Sequence, residues 1–124
     1  MESGKAIVVV VDDDRDVLEM VEAMLADEPY EVRTFRSAAE ADNAIKTFDP
    51  DFMLIDLMME EVDAGANLVT KLREKGVTAP AYMLSSVGDE LNRSTDFTAL
   101  GLDGVIQKPI RKATLLAILE ARMK

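Results

Sequence analysis

Residues 6–14 read AIVVVVDDD, six apolar positions followed at once by three acids. The run is β-branched, short and without alternation, which predicts a strand covered on both faces, as in the interior of a parallel sheet. The acids then stand at the carboxyl end of that strand, where open α/β sheets bind their ligands. Arg15–Ala26 follows with Val17, Leu18, Val21, Met24 and Leu25 at helical spacing, and Asp14 is placed to cap it.

The same alternation repeats along the chain. Tyr30–Phe35 reads as a second strand after the Glu28-Pro29 break. Ser37 opens a second helix, with Glu40 three residues on to complete a capping box and Ala41, Ala44, Ile45 and Phe48 as its inner stripe. Phe52–Ile55 is a third strand, and a helix over about Gly65–Lys75 carries Leu68, Val69 and Leu72 inward before Gly76 stops it. Ala79–Leu84 and Gly104–Gln107 read as strands four and five. Asp89–Leu100, ended by Gly101, and Arg111–Met123 read as the last two helices. Five strand–helix units in series predict one doubly wound α/β domain over residues 1–124, with five helices flanking a flavodoxin-like parallel sheet of order 2-1-3-4-5.

Composition narrows the chemistry. The 124 residues contain no Cys and no His, which removes thiolate and imidazole ligands, Ser-His-Asp triads and phosphohistidine carriers. A net charge of -10 leaves no cationic excess to neutralise nucleic-acid phosphates. Ala6–Val11 is far too short to span a membrane, and Met1–Lys5 is too short for a signal peptide, so a cytoplasmic protein is expected.

The polar residues at the strand ends are Asp12, Asp13 and Asp14 after strand one, Asp56 after strand three, Ser85 and Ser86 after strand four, and Lys108 after strand five. In the expected strand order, Asp12, Asp13 and Asp56 face one another across the switch point. Carboxylates so close repel, and a hard divalent cation relieves the conflict; oxygen-only ligands favour Mg2+ over Zn2+. Lys108 adds a second positive charge able to meet a carboxylate or a phosphoryl oxygen. Such a pocket suits phosphoryl transfer, with a carboxylate as nucleophile and a Ser hydroxyl as hydrogen-bond donor.

Four segments, VVVVDDD, PDFMLIDLMM, YMLSSVGD and VIQKPI, occur in one order along nearly the whole chain. Together they resemble the receiver domain of two-component response regulators, of the chemotaxis-regulator type. The resemblance implies that Asp56 accepts a phosphoryl group from a phosphohistidine on a sensor histidine kinase. It implies that Asp12 and Asp13 bind Mg2+, Asp13 directly, with Asp56 and the main-chain carbonyl of Met58 completing the coordination. Ser85 matches the switch hydroxyl and Ser86 the small residue beside it, grouped with the cofactor-binding positions. Lys108 matches the lysine that contacts the phosphoryl group, and its bond to Pro109 resembles one that is often cis. A receiver is a signalling switch rather than a turnover enzyme: it assists only its own phosphotransfer and dephosphorylation, and it acts by changing protein contacts. No output domain is expected within 1–124, and neither nucleic-acid nor membrane binding.

Departures from the pattern are Glu60 in place of a usual Pro, the longer Glu61–Asn67 stretch, and Val105 in place of an aromatic switch ring. Met58 and Val87 offer no polar group to orient an attacking water, which predicts a long-lived phosphorylated state. Two alternatives carry other functions: a haloacid-dehalogenase-like phosphatase built on Asp12 and Asp14, and a receiver-like adaptor that is never phosphorylated.

Overall fold

The computed structural model describes residues 5–56, 64–85 and 102–122, with residues 64–66 as backbone only. In chain order the elements are β1 (Ala6–Val11), α1 (Arg15–Leu25), β2 (Tyr30–Phe35), α2 (Ala38–Ile45), β3 (Phe52–Asp56), α3 (Ala64–Glu74), β4 (Ala81–Ser85), β5 (Gly104–Gln107) and α4 (Lys112–Arg122). The expected helix Asp89–Leu100 lies outside the described residues, as do Met58, Glu60, Ser86, Val87 and Gly101.

All four strand pairings are parallel, and the order is β2-β1-β3-β4-β5, as the alternation predicts. The alternate residues of β1 divide the core. Ile7, Val9 and Val11 pack with Met53, Ile55, Ala81 and Met83 against Ala41 and Ile45 of α2 and Leu68, Val69 and Leu72 of α3. Val8 and Val10 pack with Phe52, Leu54 and Ile106 against Val17, Leu18 and Val21 of α1 and Leu115 and Leu119 of α4. Val8–Val11 are wholly buried because both faces are covered, which is why the strand reads as a continuous apolar run. Edge strand β2 is only half-buried throughout, so its side chains alternate in character while none is fully enclosed.

Local polar bonds fix the register and the helix ends. Asp51 grips β1 twice: its N–H donates to the Ile7 carbonyl at 2.9 Å, and its Oδ2 accepts from the Ile7 N–H at 2.7 Å. Ser37 Oγ accepts from Glu40 N–H at 3.1 Å, and the Glu40 carboxylate reaches back to the Arg36 N–H at 3.4 Å, one residue before the cap. Helix α3 ends in a Schellman motif, with Val77 N–H on the Leu72 carbonyl, Gly76 N–H on the Arg73 carbonyl, and Gly76 at φ 93°.

Strand β4 begins at Ala81 rather than the expected Ala79. The Arg73 guanidinium takes the carbonyls of Val77 and Ala79 at 2.9 and 2.7 Å, and Pro80 has no N–H to give the ladder. At the other end, β3 and β4 each run one residue further than the apolar pattern suggests, so that Asp56 and Ser85 are strand residues rather than loop residues. Asp56 stands in register with Leu84, and Ser85 with Gln107.

Candidate functional site

The sheet reverses its direction of growth between β1 and β3, and the carboxyl ends of those two strands deliver Asp12 and Asp56. Asp12 stays tied to the sheet, its N–H donating to the Phe35 carbonyl at 3.0 Å, and its side chain is fully buried. Asp56, the last residue of β3, is only 6% exposed, and Ser85 is fully buried at the end of β4. Asp13 is exposed at the rim.

Lys108 closes the group from the next strands over. Its N–H donates to the Ser85 carbonyl at 2.7 Å, and the following bond to Pro109 is cis. Its ammonium lies 2.9 Å from Asp12 Oδ2 and 3.2 Å from Asp56 Oδ1. Asp12 Oδ2 accepts no well-directed hydrogen bond, although the ammonium is close, so this contact is an ionic one and a lone pair of a buried oxygen remains unspent. Asp12 Oδ1 accepts from the Asp14 N–H at 2.9 Å.

Burial and crowding set the electrostatics. Desolvation, then the Asp12 charge and more weakly that of Asp13, push the Asp56 carboxyl up from 3.8 to about 6, against the opposing pull of Lys108. For Lys108, burial alone would depress the ammonium, but its contacts with Asp12 and Asp56 outweigh burial and raise it. One ammonium therefore faces carboxylates it does not fully neutralise.

A small hard cation fits that deficit. Asp12, Asp13 and Asp56 each present one oxygen, and the three oxygens lie within 4.8 Å of one another. The candidate ligand atoms are all oxygen, and one of the three residues, Asp12, carries a buried oxygen with no hydrogen-bond partner.

The structure thus brings together Asp12, Asp13, Asp56 and Lys108, and ties Ser85 to the group by the main-chain hydrogen bond from the Lys108 N–H to its carbonyl. Met58 and Ser86 belong to the expected set but fall outside the described residues. Val105 is half-buried on β5 and packs against the core on the α2 and α3 side. The hold of the Asp14 amide on Asp12 is absent from the sequence expectation, because every residue type but proline has such an amide and side-chain identity carries no signal for it.

Comparison with known proteins agrees with this geometry. Residues 8–120 match the family model of the response regulator receiver domain. The regulatory protein VanR of Enterococcus faecium is 31% identical over 117 residues, which is 94% of this chain and 49% of VanR. The chain thus spans about half the length of the curated relatives it matches. Among solved structures, the chemotaxis protein CheY4 of Vibrio cholerae superposes with a TM-score of 0.84 at 28% identity, covering 95% of this chain and 98% of CheY4. The receiver domain of the Francisella response regulator 1452 gives a TM-score of 0.80 at 26% identity, covering 97% of this chain and all of that one (100%). With its family pattern matched over most of its length, and its strand order and acidic switch point in place, the chain belongs to the response regulator receiver domain family of two-component systems.

Proposed function

We propose that this receiver domain accepts a phosphoryl group on Asp56 from a phosphohistidine of a sensor histidine kinase, and that Mg2+ held by Asp12, Asp13 and Asp56 supports the transfer. The observation that carries the reading is the convergence of three carboxylates, with one oxygen of each within 4.8 Å of the others, and the Lys108 ammonium on two of the three residues. A carboxylate oxygen of Asp56 forms the new bond to phosphorus while the phosphorus–nitrogen bond breaks and the imidazole leaves with the electron pair. Lys108, released in part from Asp56, meets the incoming phosphoryl oxygens, and Ser85 supplies a hydroxyl at the adjacent strand end. When bound, Mg2+ supplies positive charge against the phosphoryl oxygens and removes the repulsion between the acids. The Met58 carbonyl and Ser86 complete the proposed set. The chain changes its own charge and surface rather than turning over a substrate, and its output is a change in contacts with another protein. The proposed setting is the cytoplasm; among the described residues no helix is long and apolar enough to cross a membrane.

A phosphatase built on Asp12 and Asp14 finds no support. The Asp14 carboxylate is exposed and accepts from the Asp16 N–H at 2.9 Å, spent on the helix end, while Asp56 would have no task. Incubation with a small phosphodonor tests the proposal by intact-mass spectrometry. One phosphoryl adduct is expected with Mg2+ and almost none after chelation. An unmodified chain under both conditions would favour the adaptor, and catalytic release of phosphate from simple esters would favour the phosphatase.

A further inference from the structure

Asp14 stands outside the acidic pocket, yet every polar group it owns is engaged. Its N–H donates to Asp12 Oδ1 at 2.9 Å, its carboxylate accepts from the Asp16 N–H at 2.9 Å, and its carbonyl accepts from the Val17 and Leu18 N–H groups at 3.1 and 3.3 Å. Its backbone is extended at φ -88° and ψ 108°, so the amide faces back to β1 while the side chain reaches forward over α1. Pinning one oxygen of Asp12 stops the carboxylate from turning and leaves Oδ2 as the oxygen that lies 2.9 Å from the Lys108 ammonium, in a residue of the three-carboxylate cluster. A carboxylate ligand whose second oxygen is held by a fixed donor is pre-oriented, and such supporting bonds govern metal affinity.

We propose that Asp14 is a positioning residue for Mg2+: by capping α1 it fixes its own amide, and through that amide it aims Asp12 Oδ2 at the ion. The inference rests on the cation site proposed above and adds the lever that sets its affinity. Capping, not the charge of Asp14, is the operative property, since Asn caps as well as Asp and Ala does not.

Mg2+ binding by isothermal titration calorimetry, with the native chain, Asp14→Ala and Asp14→Asn, separates the cases. The expected result is a roughly 10-fold weaker dissociation constant for Asp14→Ala and a value within about 3-fold of native for Asp14→Asn. Amide hydrogen exchange without metal should show the residue-14 N–H deprotected in Asp14→Ala and protected in Asp14→Asn. Equal weakening in both variants would mean that Asp14 acts by charge, and native affinity in Asp14→Ala would mean that it does not act at all; either overturns the inference while leaving the cation site standing. A native chain that binds no Mg2+ would overturn both, whatever the exchange data.

Discussion

Asp56→Asn is expected to accept no phosphoryl group from a small phosphodonor and to be more stable than the native chain without metal. The first effect follows because an amide oxygen is not a nucleophile under these conditions, and the other buried acid, Asp12, has one oxygen held by the Asp14 N–H and the other against the Lys108 ammonium. The second follows from linkage. The folded state holds the Asp56 carboxyl at about 6 against a usual 3.8, so folding favours the protonated form. The penalty is absent below about pH 4, grows as pH rises towards 6, and is complete above it. The gap between 3.8 and about 6, at about 1.4 kcal/mol per pH unit, sets a ceiling of about 3 kcal/mol on the gain in the variant. Urea denaturation at pH 4 and pH 7.5 checks this: the two chains should agree at pH 4 and separate at pH 7.5. A variant that is less stable at pH 7.5 would contradict it.

Lys108→Met is the second large effect. Asp12 is wholly buried, and the ammonium at 2.9 Å is its only cationic partner among the described residues. Removing it leaves a buried carboxylate facing Asp56 with no cation among the described residues to offset either charge, a change that costs about 3 kcal/mol in comparable buried pairs. The loss should be smaller at pH 5, where the Asp56 carboxyl takes up a proton, and smaller again with Mg2+ present, because carboxylates no longer offset by the ammonium bind the ion more tightly and gain more from it by mass action. Adding Asp12→Asn to Lys108→Met should recover much of the stability but none of the phosphoryl acceptance. Thermal and urea midpoints of the single and double variants read the coupling directly.

The architecture was legible because each strand declares itself by burial. AIVVVV and FMLI are apolar without interruption since helices cover both faces, and the order of units then leaves few topologies. The site was legible for a related reason. Asp12, Asp56 and Lys108 each lie two positions beyond a residue of the core on the α1 and α4 side, namely Val10, Leu54 and Ile106, so the alternation of a strand brings all three to one side. Boundaries were less legible. Apolar pattern alone ended β3 at Ile55 and started β4 at Ala79, because it reports burial and not hydrogen bonding; the ladder carries Asp56, while Arg73 takes the Ala79 carbonyl out of it. Backbone donors were not legible at all. The hold of the Asp14 amide on Asp12 depends on the path of the chain after β1, and a list of side chains does not contain it.

Whether Asp56 is the residue that takes the phosphoryl group is tested most directly by borohydride trapping. Reduction of an aspartyl phosphate leaves homoserine at the modified position, which peptide sequencing by mass spectrometry then locates. After exposure to a phosphodonor with Mg2+, homoserine should be found at position 56 and nowhere else. Homoserine at position 12 or 13, or an adduct that survives intact in Asp56→Asn, would contradict the assignment.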